Sequence, residues 1–370
     1  MALSLGIMAW NEESSIVRTL ESLFGQSVFG RLADRGECCE IVCLANGCTD
    51  RTAAVTGWLF ARMEREHPDR RGFVCRVADM PAPGRNQAWN RFVHEFSDPD
   101  ARFLCLMDAD IVFLHRDTLH NLTASLDRNA HASVATGGQI KSIVFKARRS
   151  LRERISLATS DMTGTIAGRF SGQLYCLRAG VARRIRLPRD LGATDDGFLK
   201  TIICTDFLTS KSDPTRIARA VDAAHVYEPY LSVRELLKNQ KRQMIGQTSV
   251  HVLIEYLKTL PEPDRANLAG TLARLDREDP DWLRKKIDRH VARTRFPWQL
   301  FPGILAFRWR RLGSLKGAGR LTHFPAAAAG FVVTLAACWQ ARRHLRRGGR
   351  TSYWPKAVRD SGRPLERTPA

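Results

Sequence analysis

Short apolar runs alternate with segments of helical spacing over the first 140 residues of the chain. The apolar runs predict buried strands at residues 3–9, 40–45, 73–77, 103–107 and 132–136. Between them, apolar residues recur every three or four positions, which indicates helices over 11–24, from about 50, over 84–96 and over 115–128. Strands that alternate with helices are typical of βαβ units, so we predict an α/β fold with a mostly parallel, Rossmann-like sheet flanked by helices.

The pattern is less regular in the second half of the chain. We predict a strand at 171–177, a helix that opens at 195–203 and a long amphipathic helix over 231–258. Residues 262–295 are charged and helical in their spacing, without a recognisable chemical motif.

Ligands of open α/β sheets bind beyond the carboxyl ends of the strands, which selects loops 10–13, 46–50, 81–85 and 108–110. Asp108 and Asp110 directly follow a predicted buried strand. Carboxylate oxygens suit Mg²⁺ or Mn²⁺, which bind through one or two carboxylates plus substrate phosphates. A solvated turn with an Asp cap is the alternative for an isolated Asp-x-Asp pattern. The preceding strand and the neighbouring loops favour the metal site.

Two further polar segments are candidates for ligand binding. Residues 46–52 contain a glycine that lets the backbone approach a ligand, although Thr49 or Asp50 could equally cap the next helix. Asp195 and Asp196 open a predicted helix, where the helix dipole favours acidic side chains. A general base is the functional alternative, because a carboxylate can accept the proton of an attacking hydroxyl.

The order of these motifs resembles the large family 2 group of inverting glycosyltransferases with the GT-A fold. GIMAWNEESSIVRTLESLFGQS resembles that family's first strand, Asn-Glu loop and first helix, and EIVCLANGCTDRTAAV its second strand and Gly-x-Thr-Asp turn. PGRNQAWN is similar to the Gly-Lys-x-x-Ala-x-Asn segment, with Arg85 at the usual Lys. FLCLMDAD, FSGQLYCLRAG and TDDGFLK resemble the metal-binding Asp-x-Asp strand, the acceptor-side Gly segment and the Thr-Glu-Asp motif. The match covers roughly residues 3 to 246.

The resemblance implies a role for each matching position. Asp108 and Asp110 would hold Mg²⁺ or Mn²⁺ against a nucleotide-sugar donor, and Asp196 would take the proton of the acceptor hydroxyl. The positions implied to contact substrate are Ala9, Trp10, Glu12, Asn46, Arg85, Asp108, Gly172 and Asp195. The implied reaction is transfer of a sugar with inversion at the anomeric carbon.

Two departures from the family pattern bear on this expectation. Ala45 and Asn46 stand where the second turn usually begins Asp-Asp-Gly, although an Asn amide can still donate to and accept from a base edge. Processive members carry Gln-x-x-Arg-Trp on a late helix, whereas residues 239–243 read NQKRQ, without Trp. The several membrane spans of those members are also missing, so we do not expect a polymer-extruding synthase.

The net charge of the chain is +20, and residues 301–370 contribute 14 Lys and Arg against 2 Asp and Glu. Such a basic segment indicates a polyanionic partner, either a nucleic acid or an anionic membrane face. A non-enzymatic nucleic-acid-binding protein is one alternative, but the loops at the sheet edge are acidic, and we expect no nucleic acid. A nucleotidyltransferase is the other; it usually carries a basic, Gly-rich loop where this chain reads WNEE.

Residues 324–339 form an uncharged run of about 16 residues with basic residues on both sides. The run is shorter than the ~20 residues of a bilayer span, so three options stay open: a buried core helix, a single span and a helix lying in the membrane interface. A lipid-linked acceptor would suit membrane contact. We predict a glycosyltransferase domain over 1–250, a helical extension over 251–320 and a basic, membrane-associated tail over 321–370.

The nine cysteines include no Cys-x-x-Cys pair, and several lie in apolar strand-like runs. The first residues lack the basic region of a signal peptide. We therefore expect reduced thiols and a cytoplasmic location, at the cytoplasmic face of the membrane.

Overall fold

A computed structural model describes residues 2–150, 153–154, 156–157, 170–230, 232–304 and 318–351. The strands are β1 (Leu3–Ala9), β2 (Cys39–Asn46), β3 (Phe73–Met80), β4 (Phe103–Asp108), β5 (Val112–Phe113), β6 (Val134–Lys141), β7 (Leu174–Arg178) and β8 (Ile217–Tyr227). The helices are α1 (Ile16–Phe24), α2 (Val28–Ala33), α3 (Thr52–Glu66), α4 (Arg85–Arg91), α5 (Thr118–Arg128), α6 (Ala179–Ala182), α7 (Asp195–Cys204), α8 (Val233–Lys258), α9 (Glu262–Ala266), α10 (Leu268–Glu278), α11 (Trp282–Arg293) and α12 (Ala318–Arg346).

The eight described strands form one sheet in the order β3-β2-β1-β4-β7-β6-β8-β5. β1 is parallel to β2 and β4, and β2 is parallel to β3. β7 then runs antiparallel to both β4 and β6, β8 is parallel to β6, and the two-residue β5 is antiparallel to β8. The predicted α/β sheet is therefore confirmed: β1 to β4 form a continuous parallel part, and β6 and β8 form a further parallel pair.

The central strands are buried on both faces, because successive side chains of a strand point to opposite sides of the sheet. Val42 and Leu44 belong to one hydrophobic core, with α4, α7 and α8. Ile41 and Cys43 belong to the other, with α1, α2, α3 and α5. This double coverage explains why the parallel strands are almost wholly apolar in sequence.

All nine cysteines are free thiols and six are buried.

The structure differs from the predicted elements mainly beyond residue 140 and at helix starts. β8 was not predicted, because polar residues interrupt its alternation and Asp222 has a positive φ of 49° beside an irregular stretch of the β6–β8 ladder. α1 begins at Ile16 and not at residue 11, because Asn11 takes a left-handed φ of 55°. The predicted helix over 84–96 is α4 followed by a π-helical turn, Phe92–Phe96.

The C-terminal helix α12 packs against α8 along one side. The buried residues on that side are Thr334, Ala337, Cys338, Ala341 and Leu345. The end of the uncharged run 324–339 is thus part of the protein core, whereas the side chains of 324–327 lie outside the described residues. Among the helices that the structure describes, none combines the length and the apolar character needed to cross a bilayer.

Candidate active site

The loops after β1 and β2 are tied together at the carboxyl edge of the sheet. The left-handed turn at Asn11 points its Oδ1 at the next loop, where it accepts from Thr49 N at 2.6 Å and from Asp50 N at 3.3 Å. Glu12 N donates to Thr52 Oγ1 at 2.8 Å. The motif residues Asn11 and Thr52 therefore fix the shape of this edge, whereas the sequence suggested helix capping only for Thr49 or Asp50.

The predicted nucleotide-binding residues lie along this edge. Ala9 is buried at the end of β1, and Trp10 and Glu12 follow it, half-buried. Asn46 is buried at the end of β2, and its Oδ1 accepts from Gly84 N at 2.9 Å. Asn46 thus holds Gly84 in place, and Gly84 directly precedes Arg85 in the chain.

Arg85 joins three segments that are far apart in the sequence. Its Nη1 donates to Asp108 Oδ1 at 2.7 Å, and its Nε lies 3.3 Å from both carboxylate oxygens of Asp195. Its Nη2 donates to the carbonyl oxygen of Gly172 at 3.1 Å. The Asp195 side chain is only 5% exposed and that of Asp108 is 17% exposed. One guanidinium therefore brings together four of the predicted substrate-binding residues, itself included.

Asp196 lies beside Gly172 at the start of α7. A Cβ added to Gly172 would come within 3.0 Å of Asp196 Cβ and 3.5 Å of its Oδ2, so the absent side chain leaves room for the carboxylate. Gly197 N donates to Asp196 Oδ1 at 2.8 Å. Asp196 is half-buried, and the charge of Arg85 lowers its pKa, whereas Asp195 forms an ion pair with Arg85.

Burial and mutual repulsion shift the titration of this carboxylate cluster. Burial, together with the charge of Asp195, raises the pKa of Asp196 to about 6, and the Gly197 N–H, Arg85 and Arg242 oppose this change. Burial also raises the pKa of Asp108 to about 7; Arg85 opposes this change, and Asp110 and Asp195 add to it. Burial alone would lower the pKa of Arg85, but Asp108 and Asp195 raise it, so its guanidinium stays charged.

Comparison with known proteins identifies the first half of the chain. Residues 4–179 match the family model described as glycosyl transferase family 2. The match covers just under half of the chain. The predicted enzyme class, a glycosyltransferase, and the predicted GT-A fold with a helical C-terminal part are confirmed. No curated protein matches the chain.

Solved structures show a distant likeness over most of the chain. Residues 1–349 of TarS from S. aureus are 15% identical, with a TM-score of 0.44 over 98% of this chain and 95% of that one. Glucosyl-3-phosphoglycerate synthase from Mycobacterium tuberculosis, solved with Mn²⁺, uridine diphosphate and glucosyl-3-phosphoglycerate, is 19% identical. Its TM-score is 0.44, over 67% of this chain and 79% of that one. Likenesses of this size do not identify a donor or an acceptor.

Arg242 on α8 is a site residue of this glycosyltransferase that was not predicted. The half-buried guanidinium lies close enough to Asp196, Asp108 and Arg85 to interact electrostatically with all three, and burial lowers its pKa. The sequence signal was residues 239–243, which stand where processive relatives carry Gln-x-x-Arg-Trp. Arg242 matches the arginine of that motif, but the sequence does not show that α8 lies close to Asp196.

A second set of residues that was not predicted supports the Asp-x-Asp strand through a chain of hydrogen bonds. Asp108 N donates to the carbonyl oxygen of Gln173 at 2.9 Å. The Gln173 side-chain oxygen accepts from Gln139 Nε2 at 3.2 Å and lies 3.4 Å from Nε2 of the buried His225. Gln139 also donates to Ser171 Oγ at 2.8 Å. Ser171 and Gln173 lie in the segment FSGQLYCLRAG, whereas no motif indicated Gln139 of β6 or His225 of β8.

The residues of the Asp-x-Asp pair fit a divalent cation of the kind that the family resemblance implies. Asp110 lies close enough to Asp108 for its charge to raise the pKa of Asp108. The cluster also holds Asp195 and Asp196. Within the described ranges, no group of three or more His, Cys, Asp or Glu is arranged to hold a metal ion. A two-carboxylate site completed by substrate phosphate oxygens is the usual arrangement for Mg²⁺.

The α8 helix touches the segment before Asp195 at Gly246. A Cβ at Gly246 would come 2.3 Å from Thr194 Oγ1 and 2.9 Å from Thr194 Cβ. We expect Gly246→Ala to lower the free energy of unfolding by about 1–3 kcal/mol, because overpacking displaces a buried side chain. Chemical denaturation measures this change in the free energy of unfolding. Gly180→Ala is the matched control, since nothing lies within 4 Å of an added Cβ there. Equal stability of Gly246→Ala and the native protein would contradict this tight contact.

Proposed function

We propose that this protein is an inverting glycosyltransferase that moves a sugar from a nucleotide-diphosphate sugar to an acceptor hydroxyl. The observation that carries the proposal is the carboxylate cluster around Arg85, at the carboxyl ends of β1, β2 and β4. Its members Arg85, Asp108 and Gly172 lie within residues 4–179, which match glycosyl transferase family 2, and the cluster also holds Asp196, whose carboxylate accepts from Gly197 N.

The donor would lie along the edge formed by the first two loops. The base and ribose would pack over Ala9, Trp10 and Glu12, whose positions the cross-loop hydrogen bonds fix. Asn46 would act partly through the backbone of Gly84, which sets the position of Arg85. A preorganised edge of this kind lowers the cost of ordering side chains when the donor binds.

Asp108 and Asp110 would hold Mg²⁺ or Mn²⁺ against the diphosphate. When bound, the cation would stabilise the negative charge that develops on the leaving nucleoside diphosphate. Arg85 holds the Asp108 carboxylate in place through a 2.7 Å ion pair. Arg85 and Arg242 add fixed positive charge to a half-buried site, where preorganised charges stabilise a transition state more strongly than they would in water.

Asp196 would act as the general base. Its carboxylate accepts the proton of the acceptor hydroxyl while the hydroxyl oxygen forms a bond to the anomeric carbon. The bond from that carbon to the diphosphate oxygen breaks at the same time, and the electron pair leaves with the nucleoside diphosphate. Attack from the face opposite the leaving group inverts the anomeric configuration. A base with a pKa raised to about 6 is ionised at neutral pH yet more basic than an ordinary carboxylate.

We expect kcat/KM to rise with pH through about 6 and to level off above it. Asp196 must be ionised to accept a proton, and burial and Asp195 raise its pKa to about 6, opposed by the Gly197 N–H, Arg85 and Arg242. The charged form therefore disappears as the pH falls below that value. A kcat/KM profile measured at saturating Mn²⁺ tests this. A flat profile between pH 5 and 7 would contradict the assignment of the base.

We also propose a lipid-linked acceptor and a place at the cytoplasmic face of a membrane. The basic C-terminal part of the chain and the free cysteines support this location. The acceptor itself would be presented at the side of Asp196 and Gly172, because the resemblance places the acceptor-side glycine there.

Protection against heat tests the proposed donor class. We expect one or a few members of a panel of nucleotide sugars to raise the melting temperature only when Mn²⁺ or Mg²⁺ is present, because binding to the native state alone stabilises it. Each nucleotide sugar is compared with its free sugar and with a chelator. Protection that is independent of metal, or none by any nucleotide sugar, would contradict the proposed function.

A further inference from the structure

Exposed apolar side chains gather at the C-terminal part of the described structure. Ten large hydrophobic residues are exposed among those described, and four lie on α12 or just before residue 300. They are Phe296, Trp298, Val332 and Trp339, with exposures of 42%, 38%, 65% and 53%. Phe296 and Trp298 stack with their ring centroids 4.8 Å apart and their planes 2° from parallel. Aromatic side chains left this exposed on a monomer indicate a surface that contacts a partner.

Two elements form this surface together. Arg342 of α12 donates from Nε to Thr294 Oγ1 at 3.3 Å and also donates to the Thr294 carbonyl oxygen. These bonds fix the turn that carries Phe296 and Trp298 beside α12. We call the combined surface the aromatic–arginine face; its members are Arg295, Phe296, Trp298, Val332, Trp339, Arg342, Arg343, Arg346 and Arg347.

Arginines accompany the aromatic rings throughout the aromatic–arginine face. The Arg343 guanidinium carbon lies 5.3 Å from the Trp339 ring centroid, and that of Arg295 lies 5.5 Å from the Phe296 ring centroid. A cavity of about 300 Å³ is lined by Trp339, Arg342, Arg343, Arg346 and Arg347. No Asp or Glu occurs anywhere between residues 289 and 359 of the sequence. The face is therefore complementary to a surface of negative charge.

The packing of α12 fixes which side of the helix faces outward. Ala337, Ala341 and Leu345 are fully or almost fully buried on the side toward α8. Val332, Trp339 and Arg343 are spaced by seven and four residues, so they lie on one exposed side. The outward side is thus apolar at residue 332, aromatic at 339 and basic from 342 onward.

We infer that the aromatic–arginine face docks on the surface of an anionic phospholipid bilayer. Tryptophan is favoured at the level of lipid headgroups, and arginines beside it can contact their phosphates. The polar–apolar division along α12 favours a bilayer over a nucleic acid: residues 321–341 carry no Lys or Arg to follow a phosphate backbone. This inference rests on the membrane location proposed above and names the surface that makes the contact; it is independent of the proposed reaction.

Sedimentation with vesicles tests the inference without any donor or acceptor. The full-length protein should sediment with vesicles of phosphatidylcholine mixed with phosphatidylglycerol and should stay in solution with phosphatidylcholine alone. Each arginine near an anionic surface strengthens binding about fivefold, so Arg343→Glu with Arg346→Glu should weaken it by about 25-fold or more. Trp339→Ala should weaken binding to the same vesicles while the charge stays unchanged.

A second exposed Trp–Arg pair provides a matched control. Trp58 on α3 is 62% exposed, with the Arg62 guanidinium carbon 5.8 Å from its ring centroid. Trp58→Ala with Arg62→Glu should leave vesicle binding unchanged, and melting temperatures check that all variants are folded. Equal vesicle binding by folded Arg343→Glu/Arg346→Glu and native protein would overturn the inference. A second result would also overturn the inference: the native protein binds a single-stranded oligonucleotide but no vesicles, and these substitutions abolish oligonucleotide binding.

Discussion

Replacing Asp196 by Asn should lower the turnover number by about 10²-fold or more, the usual scale for the loss of a general base. The amide keeps the shape of the carboxylate and can still accept from Gly197 N, which now lies 2.8 Å from Asp196 Oδ1. Donor affinity should change little, because the ion pairs of Arg85 with Asp108 and Asp195 stay in place. Steady-state kinetics and a donor-binding titration on the same variant separate the two effects.

Asp195→Asn is the control that distinguishes the two neighbouring carboxylates. Asp195 is 5% exposed and paired with Arg85, so its loss should weaken the position of Arg85 and hence donor binding. A much larger fall in turnover for Asp195→Asn than for Asp196→Asn, with donor affinity unchanged, would show that the roles are reversed.

Asp110→Ala should abolish metal-dependent donor binding and transfer while leaving the fold intact. Asp110 is half-buried at the end of the Asp-x-Asp segment, outside the hydrophobic cores. Removing one of two carboxylate ligands leaves the cation with Asp108, which is already bonded to Arg85. Calorimetric titration of a nucleoside diphosphate with and without Mn²⁺ measures the loss, and the melting temperature without ligand checks the fold.

Asp79 is the matched control for this substitution. It is an exposed carboxylate near the end of β3, which β2 and β1 separate from β4, and Asp79→Ala removes the same charge from the same edge of the sheet. We expect the Asp79 variant to keep metal-dependent binding. Full transfer activity of Asp110→Ala in the presence of a chelator would contradict a metal site at this position.

The first half of the fold could be predicted because its signals are local. Strands such as β1 and β4 are short, mostly apolar runs, and the helices between them have regular apolar spacing. β8 could not be predicted in the same way, since its polar positions and the positive φ of Asp222 depend on pairing with β6. The side of α12 that is buried also depends on contact with α8, which the sequence does not show.

The candidate site was predictable as a set of residues but not as an arrangement. Motif order placed Asp108, Asp110 and Asp196 in the expected chemistry, and their roles stay predictions. The ion pairs of Arg85 with Asp108 and Asp195 join segments up to 110 residues apart, so no local pattern could reveal them. Arg242 was missed for the same reason, because α8 comes near Asp196 only in the folded chain.

The anomeric configuration of the product tests the central claim most directly. A single carboxylate base at Asp196 requires direct displacement of the nucleoside diphosphate by the acceptor oxygen. Proton NMR of the linkage formed from the donor that stabilises the protein should therefore show inversion relative to that donor. Retention of configuration, or transfer at the native rate by Asp196→Asn, would contradict the mechanism.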